Sequence, residues 1–201
     1  MLKKIVITLG VLLVLFVGFV ASRPSQFRVE RSATILAPAD LIYAAIADFQ
    51  QWPHWSPWEK LDPAMAKTYE GSPGTPGARY SWSGNDKVGK GMITITDLHP
   101  NEFVAYRLEF VEPWQAINSS RLTIQSAGVA NTVTWTMEGQ NDFVAKLFSV
   151  LMNMDEMIGK DFELGLANLN TYVTTALPKT EPTAVAALPP EESASTNVSA
   201  P

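Results

Sequence analysis

Apolar residues recur at every second position along several segments between Lys67 and Gly139. Val104, Tyr106, Leu108 and Phe110 alternate with Arg107 and Glu109, and Val133, Trp135 and Met137 alternate with Thr134 and Thr136. A period of two belongs to strands whose successive side chains point to opposite faces, so these segments form a sheet with one apolar face that something else must cover. Turn chemistry separates them: SPGTPG, Asn85-Asp86, His99-Pro100-Asn101-Glu102 and AGVAN. Connections this short join antiparallel neighbours, and a meander is expected. Its strands are KTYEG, ARYSWSG, KVGKGMITITDL, FVAYRLEFV, AINSSRLTIQS and TVTWTMEG, preceded by QFRVERSATIL from Gln26 to Leu36.

Helical signals flank the strands. Pro38 opens the short run LIYAAIADF, after which QQWPHWSPWEKLDP is too irregular for either period and reads as a packed loop with a helical turn. From Asp142 to Ala176 one long helix is expected, kinked near Met152-Asn153, with Met154, Met157, Ile158, Phe162, Gly165, Leu166, Leu169 and Val173 on its apolar side. That helix is the natural cover for the sheet, which makes the fold class α+β.

The ends differ in kind from the body, residues 23–177. Lys3-Lys4 precede an uncharged run from Ile5 to Ala21, which as a helix reaches roughly 26 Å, at the low end of what spans a bilayer. Phe19 and Ala21 make a poor cleavage site, so residues 1–22 are expected to be a retained transmembrane helix, with a cleaved signal as the alternative. Lys3 and Lys4 place the body outside the cytoplasm, while Arg23, Arg28 and Arg31 on the other flank pull against that orientation. Residues 178–201 carry five prolines and no aromatic residue, the composition of a disordered tail.

Composition removes several classes of function. A net charge of -5 lacks the basic footprint of a nucleic-acid binder. Without cysteine there is no disulfide, thiolate metal site or cysteine nucleophile, and only His54 and His99 offer imidazole, so neither metal nor cofactor is expected. GSPGTPG and GNDKVGKG precede no helix and read as hairpin turns rather than phosphate cradles.

Three strings, in order, carry a family resemblance: WPHWSPWE from Trp52 to Glu59 continued by KLDPAM, GARYSWSGN from Gly77 to Asn85 continued by VGKGMITI, and MDEMIGKDFELGL from Met154 to Leu166. The chain resembles the START-like superfamily (SRPBCC), in its polyketide cyclase/dehydrase and lipid-transport group, over about Phe27 to Thr175. The resemblance implies a helix-grip fold, a curved antiparallel sheet wrapped around a long C-terminal helix, with a deep cavity between them. It implies relatives that bind lipids, sterols or polyketides, some of them enzymes, and it carries no catalytic residue onto this sequence.

Tyr80, Trp82, Tyr106, Leu108, Phe110, Trp135 and Met137 share the inward parity of their strands and are the expected ligand-binding set on the sheet. Met154, Met157 and Asp161 are the expected contributors from the helix, with Met92 and Met152 adding soft surface, although core filling is the favoured reading for the methionines. Trp52, Trp55 and Trp58 in the proline-rich loop are expected to plug the sheet more than to touch ligand. Asp161 lies within the apolar arc of the helix and is costly there unless paired. It is either a polar handle or, as the favoured reading, the partner of Arg79, Arg107 or Arg121. Glu59 is expected to pair locally, and His54 to be structural.

The leading expectation is a membrane-tethered protein binding a hydrophobic small molecule or lipid. The alternatives are a cyclase or hydratase using Glu59, Asp161 or His54 as acid or base, and a ligand-free structural protein of the envelope.

Overall fold

Chain order in the computed structural model, which describes residues 1–127, 130–151 and 153–176, follows the alternation closely. Helix α1 (Leu2–Ala21) precedes β1 (Gln26–Ile35), α2 (Ala39–Ala47) and two 3-10 turns, Phe49–His54 and Pro57–Lys60. Then come β2 (Ala66–Glu70), β3 (Arg79–Ser83), β4 (Lys90–His99), β5 (Phe103–Glu112), β6 (Ala116–Ala127) and β7 (Ala130–Gln140). Helices α3 (Phe143–Leu151) and α4 (Met154–Ala176) follow. The expected tail and Met152 lie outside the described residues.

The sheet has the order β1-β7-β6-β5-β4-β3-β2, antiparallel throughout. Strands β2 to β7 form the meander. β1 pairs with β7 from Gln26↔Gln140 to Ile35↔Asn131, so the first and last strands are neighbours. Asn101 takes the left-handed conformation (φ 63°) in the β4–β5 turn, as asparagine tolerates.

The expected single C-terminal helix is two helices. Each starts on its own polar cap: Asp142 Oδ1 accepts the Ala145 amide at 2.7 Å, and Asn153 Oδ1 accepts the Glu156 amide at 3.3 Å. A second cap inside an apolar-periodic run lets the chain turn there, and Asp155 and Glu156 complement the new N-terminus.

Helix α4 lays Phe162, Leu166, Leu169 and Val173 against the inward face of the sheet, where all four are buried with Val29, Ile93, Ile95, Val104, Leu122, Val133 and Trp135. This is a curved sheet gripping a helix. The opposite face is polar and carries Arg28 with Glu30 and Glu138, and Arg107 with Glu109.

Candidate functional site

The inward face is sealed at the end covered by α2. A short helix leaves its last carbonyls without intrahelical partners, and side chains supply them here. Trp52 Nε1 and Tyr106 Oη both donate to the Ile46 carbonyl, at 3.1 and 2.8 Å, and Trp55 Nε1 donates to that of Ala45 at 3.0 Å. Phe49 and Trp52 pack on Tyr106 with centroids 6.0 and 5.5 Å away, leaving it 1% exposed. Burial pushes the Tyr106 hydroxyl well above the ordinary tyrosine range. In this structure Tyr106 belongs to the core.

The middle is also filled. Trp135 stacks on Phe162 at 4.3 Å with planes 1° apart, and its indole donates to Ser120 Oγ at 3.0 Å. Ser120 in turn donates to the Thr136 carbonyl, so this buried pair is satisfied.

Towards the end where α3 joins β7 to α4, inward-facing side chains stop being covered. Trp82, Leu108 and Phe110 are half-buried, as are Phe27 on β1, Trp58 on the second 3-10 turn and Ile158 on α4. Trp82 lies over Gly91, edge-on to Phe110 at 6.0 Å. Asn118 is buried on β6, its Oδ1 against Gly139. Trp58 donates to Asp161 Oδ2 at 3.3 Å.

A polar cluster stands beside this region. Glu59, 7% exposed, accepts from Tyr80 Oη at 2.7 Å and pairs with Lys67 through its other oxygen. Burial first, and then the hydrogen bond to Glu59 and its charge, hold the Tyr80 hydroxyl far above the usual tyrosine range, which keeps it a donor. The ring of Tyr69 stacks on Tyr80 at 5.2 Å. Among the described residues no three His, Asp or Glu side chains gather as a metal-binding group.

The expected site residues therefore part company. Trp82, Leu108 and Phe110 come together at the open end, and Asp161 flanks it through Trp58. Tyr80, Trp135 and Met137 face inward and are buried, and Met154 is half-buried at the start of α4. Met157 departs from expectation: it is 45% exposed, because the sheet-facing stripe of α4 runs through Ile158 and Phe162, and one residue along a helix is a rotation of 100°. The favoured arginine partners of Asp161 are also wrong. Arg79 pairs with Glu70, Arg107 with Glu109, and Arg121 lies 3.6 Å over the Phe103 ring, all on the polar face, so the tryptophan indole answers Asp161 instead. Glu59 pairs locally as expected, and His54 stacks on Tyr172 at 5.0 Å. Lys67 and Asn118 join the region from outside the expected set. The alternation Asn118, Ser120, Leu122, Ile124 was the available signal, since it places two polar groups on an apolar face.

Among the described residues, two concavities are open grooves rather than the enclosed chamber the resemblance implies. A groove of about 640 Å³ crosses the polar face past Arg28, Arg107, Ser119 and Glu138. Another, of about 480 Å³, separates Arg23, Pro24 and Gln26 from Ser149, Val150 and Met154 at the α3–α4 corner.

A family model described as polyketide cyclase / dehydrase and lipid transport matches residues 26–174. No curated protein matches the chain by sequence. A protein of Thermobifida fusca solved by NMR is 19% identical, with a TM-score of 0.57, covering 74% of this chain and 93% of its own. The Zhui aromatase/cyclase from Streptomyces sp. R1128 is 15% identical, with a TM-score of 0.54, covering 77% of this chain and 97% of its own. The Aha1 dimer from Colwellia psychrerythraea is 15% identical, with a TM-score of 0.53, covering 73% and 96% respectively. Identities this low carry the fold alone.

Proposed function

Because this chain belongs to the polyketide cyclase/dehydrase and lipid transport family, we propose that it is a membrane-tethered protein holding a hydrophobic small molecule or lipid between α4 and the α3 end of the sheet. One observation carries the reading. Trp82, Leu108 and Phe110 share the inward face with Ile93, Val104 and Tyr106, yet the first three are half-buried and the second three are buried. Apolar side chains left uncovered inside a grip, with Asn118 and Asp161 as polar handles, have the make-up of a ligand site.

The tether rests on α1. Its 20 residues are long and apolar enough to cross a membrane, and all but Val20 are exposed. A helix apolar on every side, and exposed along all but its last turn, calls for lipid. Lys3 and Lys4 support a cytoplasmic start and a body on the opposite side.

The aromatase/cyclase neighbour suggests a cyclase as the second reading. Ligand binding without chemistry is favoured over it, because both oxygens of Glu59 are engaged by Lys67 and Tyr80 and Asp161 is held by Trp58.

The test pairs fluorescent fatty-acid binding with thermal melting on Leu108→Trp. Filling the open end is expected to weaken binding by about tenfold or more, roughly 1.4 kcal/mol, with little change in Tm. Unchanged binding in the variant, or no uptake by the unmodified protein, overturns the proposal. Full-length protein is expected to float with vesicles after a high-salt wash, and a soluble mature chain starting near Arg23 overturns the tether.

A further inference from the structure

Helix α3 is tied to the last turn of α1. The two helices pack together, Val20 is fully buried while the rest of α1 is exposed, and Lys146 Nζ donates to the Ala21 carbonyl at 3.2 Å. A cation on the final carbonyls of a helix satisfies acceptors the helix cannot satisfy itself. Where α1 leaves a bilayer, α3 must therefore lie at the level of the headgroups.

At that level the body presents an apolar group on its outside, with the exposed carboxylates of Asp142 and Glu112 at its margin. Phe143, Val144 and Phe148 of α3 are exposed, and Trp114 in the β5–β6 turn is 66% exposed, its ring 5.4 Å from that of Phe148. Scattered exposed apolar residues are ordinary on a protein surface, whereas a contiguous group marks a contact. The chemistry around this group is that of a membrane interface. Tryptophan favours the headgroup boundary, and two cations stand at the end of α1: Lys146, bonded to the Ala21 carbonyl, and Arg23, whose guanidinium lies 5.6 Å over the Phe19 ring.

We propose that α3 and the β5–β6 turn form a membrane-docking surface, in which Phe143, Val144, Phe148 and Trp114 enter the interfacial layer of the bilayer that α1 spans. The proposal rests on the tether reading above. It commits to lipid rather than a second copy of the chain because the patch is continuous with α1. Its consequence is orientation: α3 is the connection between β7 and α4, so the half-covered Leu108 and Phe110 are held towards the membrane and a ligand can pass between lipid and protein without crossing bulk water.

The chain has no cysteine, so single introduced cysteines report unambiguously. Trp114→Cys and Phe148→Cys, each labelled with a polarity-sensitive fluorophore in the full chain, are reconstituted into phosphatidylcholine/phosphatidylglycerol vesicles containing shallow nitroxide lipid. Glu102→Cys is the control. It precedes the ten-residue β5, and at about 3.3 Å per residue it lies about 30 Å from the turn. Both labels near α3 are expected to shift to the blue and be quenched about twofold or more, with the control unaffected. Vesicle-bound protein whose three labels behave alike overturns the docking and leaves the tether standing. Protein that fails to float with vesicles overturns both. Labels shielded from water, unquenched by lipid and able to cross-link two chains assign the patch to a second copy and overturn the proposal. Melting curves show that each variant is folded, and either position suffices alone.

Discussion

Gly165 of α4 rests against the indole of Trp135: a β-carbon built on the glycine stands 2.7 Å from Trp135 Cζ3 and 3.2 Å from Cδ of Pro57. Helix, sheet and tryptophan loop meet at this point, and Trp135 and Pro57 are both buried. Helix propensity alone favours alanine over glycine by about 1 kcal/mol. Gly165→Ala is nevertheless expected to destabilise the protein by about 1 to 3 kcal/mol through overpacking. Urea unfolding followed by tryptophan fluorescence measures the sign, and a stabilised variant would show that α4 stands further from the sheet.

Strand parity alone puts Tyr106 with the cavity-lining residues, whereas its surroundings put it in the core. Tyr106→Phe loses the bond to the Ile46 carbonyl and should cost about 0.5 to 1.5 kcal/mol. Tyr106→Trp should cost about 1 to 3 kcal/mol by strain, with little effect on ligand affinity, the reverse of the pattern expected for Leu108→Trp. Melting and fatty-acid binding on the same two variants separate core from site.

The Glu59, Lys67 and Tyr80 cluster fastens the second 3-10 turn to the edge strand β2 and its neighbour β3. Glu59→Gln is expected to cost about 1 to 3 kcal/mol, since it leaves Lys67 without its charge partner. Combined with Tyr80→Phe the losses should be non-additive, because both changes strike one network. A double-mutant cycle on unfolding free energies tests this, and strictly additive losses would show that the two groups act independently.

Arg31 points inward from β1 and binds α4 across Gly159, reaching Asp155 Oδ2 at 3.0 Å and Glu163 Oε1 at 2.8 Å. The Arg31 hydrogen bonds hold the Asp155 carboxyl below its ordinary value of 3.8. A carboxyl depressed in the folded state stabilises above its unfolded pKa, and that contribution is lost as pH falls through the folded one. The stability gap between the unmodified protein and Asp155→Asn should therefore be steady at neutral pH and close below about 3.8. Thermal melts across that range check it, and a gap that widens in acid reverses the assignment.

Alternation by itself determined the strands and which of their side chains share a face, because a period of two leaves a strand no other way to hide its apolar residues. The identity of α4 as the cover, and the exposed character of α1, were equally legible as local patterns. Tertiary structure alone decided which inward residues are core and which are open. Tyr106 and Leu108 have the same parity two positions apart, but α2 ends over the first and stops short of the second. The partner of Asp161 was likewise invisible, since Trp58 lies more than a hundred residues away along the chain and meets it only after the loop folds onto α4. Parity and helical phase are properties of neighbouring residues, whereas coverage depends on where a distant segment ends, and no local pattern encodes that distance.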